Sequence, residues 1–150
     1  RILVFSEGEP LIAINGVRNA ASREIFSLGS VAIRLSQTVN STTGLLDTGT
    51  ITAGDTVTLT IADTRKYTYT VVTDDTLETI MIGLAALVNA GNGDLEVLAK
   101  YEPSLGLIKL QAKRGGTQGD DIAIAVTTSE DAGIVGGASG AFLQGGETRL

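Results

Sequence analysis

The stretch that decides the fold is Tyr67-Thr-Tyr-Thr-Val-Val-Thr-Asp-Asp-Thr-Leu-Glu-Thr-Ile-Met-Ile-Gly-Leu-Ala-Ala-Leu-Val-Asn-Ala-Gly91. It opens with strand-like alternation, stops at two aspartates, runs into a helix and ends on glycine. Asp75 followed three residues later by Glu78 is a capping-box pattern, and the acidic start suits the positive end of a helix dipole. Leu77, Ile80, Met81, Leu84, Leu87 and Val88 recur at three- and four-residue spacing, which predicts one broad buried stripe. Gly91 stands where a left-handed C-cap is expected. Across the helix, Thr79, Gly83, Ala86 and Ala90 form a second stripe of small residues, with no charge between Glu78 and Asp94. A helix lacking a charged face is expected to be covered on more than one side, so this stripe is the candidate contact face.

Alternating segments flank the helix. Thr56–Ile61 alternates Thr with Val57, Leu59 and Ile61, and Lys66–Val71 alternates again after a turn at 62–65, which predicts a hairpin. Downstream, Leu95–Tyr101 and Leu107–Lys113 predict a second hairpin around Pro103–Gly106, and Ile122–Val126 another strand. Residues 129–140 are rich in Gly and Ala, and Gly133–Gly140 reads as a flexible surface loop. Upstream, Ser30–Gln37 alternates like a half-buried strand, and Leu45–Thr52 suits another. Val17–Leu28 is ambiguous between a helical turn and a loop. Arg1–Ser6 and Leu11–Ile14 are short apolar runs, the second ended by the turn pair Asn15-Gly16. Asn40-Ser-Thr-Thr-Gly44 is small and polar, the best candidate for a boundary. The expected division is therefore an N-terminal β-rich segment over 1–40, part of a preceding domain or packed on the helix, and a ββαβββ module over 45–147. The fold class is α+β: a mainly antiparallel sheet with one central helix, about 76–90, packed on one face.

Composition agrees with that reading and excludes much chemistry. The 150 residues hold 19 glycines, 43% hydrophobic residues and only 4% aromatics, which predicts an aliphatic, β-biased core. The net charge of −6 argues against nucleic-acid or anionic-membrane binding, and Lys113-Arg114 has no aromatic neighbour for base stacking. The apolar run Ile80–Val88 is far too short to span a bilayer. With neither His nor Cys, no Ser-His-Asp or Cys-His system and no His- or thiolate-ligated metal is available. No catalytic, cofactor or metal residues are assigned, and the chain is expected not to be an enzyme.

Three patterns bear on binding. Gly133–Gly140 lacks the Gly-Lys-Ser/Thr ending of a phosphate-cradling loop. Asp47, Asp55, Asp63, Asp120 and Asp121 offer oxygen ligands for Ca²⁺ without EF-hand spacing. Tyr67 and Tyr69, two apart on one strand, share a face and are the candidate sugar-stacking pair. The absence of an initiating Met suggests an excerpt from a longer protein.

Two resemblances carry further expectations. Tyr69-Thr-Val-Val-Thr-Asp-Asp-Thr-Leu-Glu-Thr-Ile80 resembles the opening of a LysM peptidoglycan-binding repeat, but LysM continues with a second helix where this chain continues with strands. The shared dozen residues are read as convergent capping chemistry. A longer pattern comprises Thr50–Ile61, Tyr67–Val71, Asp75–Leu77, Leu84–Asn89, Ile108–Lys113, Gly115–Gly119 and Leu143–Gly146. It resembles a module repeated in large Thr/Gly-rich bacterial surface or secreted proteins and found in some phage tail-type proteins. That resemblance implies a structural or adhesive, non-enzymatic role at the cell surface or outside the cell. The implied partners are neighbouring domains of the same chain or other copies of itself. A phage-tail or injection-machine domain and a glycan- or calcium-binding module are the alternatives.

Overall fold

A computed structural model describes residues 24–148. The strands are β1 (Phe26–Leu35), β2 (Gln37–Val39), β3 (Leu46–Thr48), β4 (Thr56–Ile61), β5 (Arg65–Thr70), β6 (Val97–Glu102), β7 (Leu107–Gly115), β8 (Ile124–Thr128) and β9 (Ile134–Ala138). One helix, α1 (Leu77–Asn89), lies between β5 and β6, and a short 3₁₀ helix spans Thr117–Asp121. The protein is α+β, with antiparallel sheets and a single α-helix among the described residues.

The decisive hairpin forms as its alternation predicts. β4 pairs with β5 in the register Val57↔Tyr69, Leu59↔Tyr67 and Ile61↔Arg65, and β8 adds to the other edge of β4. Val57, Leu59 and Ile61 are fully buried, while the threonines face outward and the Thr58 and Thr68 hydroxyls meet at 2.8 Å. A second, four-stranded sheet has the order β9-β1-β7-β6, antiparallel throughout. Its inner face supplies Val31, Ile33, Ile108, Leu110, Ala112, Val97 and Ala99 to the same core cluster as the first sheet. The helix packs against β5 of one sheet and β6 of the other. Ile80, Met81, Leu84, Ala85 and Val88 go into the shared core. Leu87 is 38% exposed and Leu77 only half-buried, so the buried stripe is narrower than the spacing predicts.

Several expectations need correcting. The helix is capped by Thr76, whose side chain accepts from the Thr79 N–H, and the Thr79 hydroxyl reciprocates at the Thr76 N–H. Asp75 sits one residue too early and is occupied elsewhere, so the box is Thr-Thr and not Asp-Glu. At the other end the expectation holds: Ala90 is the C-cap, with extended backbone, and Gly91 just after it takes the left-handed conformation, with a φ of 63°. The helix stops because the Asn89 side chain turns to the backbone of β6, bonding both the carbonyl (2.5 Å) and the N–H (3.1 Å) of Ala99.

The Gly-rich stretch expected as a flexible loop is strand β9. It pairs with β1 from Ile134↔Leu35 to Ala138↔Val31. Its glycines permit close packing: a Cβ on Gly136 would stand 2.3 Å from Val126 of β8. The boundary expected at residues 40–44 is a hairpin turn between β2 and β3, closed by Asn40 Oδ1 accepting the N–H groups of Thr42 and Thr43. The strand expected over Leu45–Thr52 shrinks to β3, and the loop before β8 contains the 3₁₀ turn. The strand expected from Ser30 starts at Phe26 and lies inside the four-stranded sheet, between β7 and β9. The proposed division at residue 40 therefore does not separate the described strands: β1 shares a sheet with residues from 97 to 138. The features read in Arg1–Ser6, Leu11–Ile14 and Asn15-Gly16, and residues 17–23 of the ambiguous Val17–Leu28 stretch, lie outside the described residues.

Candidate functional site

Tyr67 and Tyr69 share the inner face of the first sheet, beside the helix, and both are half-buried. Their hydroxyls are committed to carboxylates. Tyr69 donates to Asp75 at 2.8 Å, and the same carboxylate accepts the Val72 N–H and the Thr79 hydroxyl. These bonds, the Val72 N–H first, hold the Asp75 carboxyl below its ordinary pKa, while burial and the Asp75 bond raise Tyr69. The ring of Tyr69 lies on Gly83, where an added Cβ would come within 2.4 Å of it. One face of the Tyr69 ring is therefore covered by the helix.

Tyr67 belongs to a stronger knot. Asp94, with its side chain fully buried, accepts from Arg65 Nε (2.8 Å), Arg65 Nη2 (3.2 Å), the Tyr67 hydroxyl, and the N–H groups of Glu96 (2.9 Å) and Val97 (3.1 Å). Burial, the largest influence, opposes ionisation of Asp94, but the bonds from Arg65, Tyr67 and Glu96 prevail and hold its carboxyl at about 2. Arg65 also reaches Glu96 at 2.8 Å, and its bond to Asp94 raises its own pKa further. This buried, fully partnered carboxylate ties β5, the turn after α1 and the start of β6 together. Sequence reasoning missed it. The available signal was Asn92-Gly-Asp-Leu-Glu96, an Asx residue just ahead of a strand.

The remaining aspartates do not converge. Asp120 accepts from the Ser27 hydroxyl (2.6 Å), which lowers its pKa first, and from the Gly146 N–H (2.9 Å). Asp55 meets Ser129, Asp47 meets Asn40, and Asp63 occupies the β4–β5 turn. Among the described residues no group of three potential ligands is close enough to hold a metal ion. The small-residue stripe of the helix is divided by the structure. Gly83 is half-buried under Tyr69, whereas Thr79, Ala86 and Ala90 are exposed, next to Ile82 at 47% exposure.

Two further surfaces emerge from the register. The outer face of the four-stranded sheet places Lys100 directly opposite Lys109, and Leu98 opposite Gln111, which in turn faces Leu28. Beside them lies an open depression of about 380 Å³ walled by Leu28, Ser30, Leu105, Leu107, Lys109 and Gln144. The β2–β3 hairpin exposes Val39, Leu45 and Leu46. The two ends of the described chain meet: Ile25 and Glu147 exchange backbone hydrogen bonds at 2.8 and 3.0 Å. No helix among the described residues is long and apolar enough to cross a membrane. No family model, curated protein or solved structure matches the chain.

Proposed function

We propose that the chain is a non-enzymatic structural and interaction module of a longer, exported bacterial protein, acting at the cell surface or outside the cell. The observation that carries this reading is the use made of its strongest polar groups. Asp94, Arg65, Tyr67, Asp75, Tyr69 and Asp120 are each bound to protein partners that join strands, helix and chain ends. The chemistry-bearing side chains thus serve rigidity, and exposed sheet and helix faces are left for contact. The pairing of Ile25 with Glu147 adds a second support: flanking sequence enters and leaves at one place, so the module presents its faces from the side of a longer chain. The partners proposed are neighbouring domains and other copies of the module, in line with the resemblance to repeated Thr/Gly-rich surface proteins.

A structural role in a phage tail or injection machine is the second reading. The exposed Val39, Leu45 and Leu46 of the β2–β3 hairpin favour it, since assembled particles bury such tips against neighbouring subunits. A thermal-shift panel with Ca²⁺ and glycan oligomers at millimolar concentration tests the structural reading against ligand binding. Any ligand that binds only the native state must raise Tm. Unchanged Tm throughout is the expected result, and a saturable rise with either ligand overturns it.

A further inference from the structure

The described residues carry seven basic side chains against fifteen acidic ones, and three of the basic ones share one face. Arg34, Lys100 and Lys109 project from the outer face of the four-stranded sheet, where Glu102 is the only acid on these strands. Lys100 and Lys109 are directly opposed across β6 and β7, an arrangement that costs stability in a sheet. The single salt bridge nearby is Lys100–Glu102 at 3.6 Å, and Lys109 forms no ion pair among the described residues. An anionic surface laid on this face relieves that repulsion. Around the paired lysines the surface is apolar: Leu28 is 43% exposed, Leu98 48% and Leu105 68%, and the 380 Å³ depression lies among them.

The complementary surface is on the same chain. Around the start of α1, Asp74 and Glu78 are exposed beside the apolar Val72 (56%) and Ile82 (47%), one turn beyond Glu78. Glu130 and Asp131 are also exposed, in the turn after β8 that Ser129 joins to Thr56 and Asp55. No lysine or arginine occurs from Tyr67 to Ala99. The helix reaches β6 at its free edge, where Asn89 bonds both backbone groups of Ala99, and the acidic shoulder shares no residue with the outer sheet face.

We infer that copies of this module associate head to tail, the acidic, apolar shoulder at the start of α1 on one copy docking on the basic, apolar outer face of the four-stranded sheet of the next. Resting on the structural-module reading above, this names its partner as a second copy. Contact between two unlike surfaces is heterologous, so association continues past the dimer into a ring or an open string. Mixed charge and apolar area make it salt-sensitive and of modest affinity.

Sedimentation equilibrium of the 150-residue chain tests this at protein concentrations up to about 1 mM, which reaches weak contacts. Salt is set at about 20 mM and about 0.5 M, where the Debye length falls from ~20 Å to ~4 Å. The expected result is a weight-average mass that climbs past the dimer with concentration at low salt and returns to the monomer at high salt. Lys100→Glu with Lys109→Glu, and separately Asp74→Asn with Glu78→Lys, should each remain monomeric while melting as cooperatively as the parent. Asn is chosen at 74 because that residue has a φ of 72°. Mixing the two variants brings opposite charges together again and should restore the mass. A monomer at all concentrations, a closed dimer, or association unaffected by both variants overturns the inference. So does protection of the sheet face in the monomer by residues 1–23. Salt-sensitive binding of heparin with no self-association assigns the face to a polyanion and equally overturns it. The thermal-shift panel is independent of all these outcomes, so the module reading and its partner fail separately.

Discussion

Replacing Asp94 with Asn keeps the shape of the buried knot and removes its charge. One carboxylate oxygen survives as the amide oxygen and can still accept the Glu96 and Val97 N–H groups. The amide NH₂ then faces the Arg65 Nε–H, donor against donor, and Tyr67 must turn its hydroxyl away. The depression of Asp94 from 3.8 to about 2, at about 1.4 kcal/mol per unit, corresponds to about 2 kcal/mol of native-state preference for the ionised form. Asp94→Asn is therefore expected to lower stability by about 2–3 kcal/mol at pH 7, as measured by urea unfolding. Because the folded pKa is the lower one, this contribution is complete above the unfolded value near 3.8 and fades as pH falls toward about 2. The gap between parent and variant should therefore narrow by about 1 kcal/mol between pH 7 and pH 3, since Asn mimics the protonated acid. A gap independent of pH, or below about 0.5 kcal/mol at pH 7, refutes the claim that charge-assisted bonds hold this junction.

Further substitutions test the neighbouring elements. Gly83→Ala should destabilise by about 1–3 kcal/mol despite Ala's better helix propensity, because its Cβ collides with the Tyr69 ring; a gain in Tm would show that the ring moves freely. Thr76→Ala should cost about 1 kcal/mol and Glu78→Ala less than about 0.5, as chemical denaturation will show if Thr76 is the cap. Ala62, in the β4–β5 turn at a φ of 55°, occupies a left-handed conformation costly for any residue with a Cβ. Ala62→Gly should raise stability by about 0.5–1 kcal/mol, and a loss of that size would mean the methyl packs more than the backbone strains.

What was legible in the sequence was local. Thr/apolar alternation over Thr56–Ile61 and Lys66–Val71 named the hairpin and its buried face, and the three- and four-residue spacing named α1 within a residue or two. Cap identity was not legible, because Asp75 and Thr76 are both good caps and the choice rests on Tyr69 and Val72 claiming the Asp75 carboxylate. Strand β9 was hidden by its composition. Gly136 and Gly137 weaken any strand signal, and at Gly136 the glycine is required by the close approach of Val126 of β8 and Ile33 of β1, a tertiary fact. The boundary at Asn40–Gly44 had the right residue types, which serve hairpin turns and linkers alike. At the candidate surfaces, the opposition of Lys100 and Lys109 was within reach once the hairpin around Pro103–Gly106 was drawn, for its register sets them face to face. The Asp94 knot required knowing that Arg65, 29 residues away, returns beside it.

The division of the small-residue stripe bears on where a contact can form. Gly83 already has its occupant: Tyr69 lies on it and ties its hydroxyl to Asp75, which in turn holds Val72 and Thr79 in place. Close approach on that face is thus used within the fold, to fix the entrance of the helix. What it leaves exposed is a rigid shoulder, Val72 and Asp74 on one side of the cap and Glu78 and Ile82 on the other. Rigidity matters here, because an interface built from a few apolar side chains and charges has little energy with which to order a mobile partner. The same hydrogen bonds that anchor Tyr69 against the helix therefore also pre-organise the surface through which one copy is proposed to meet the next.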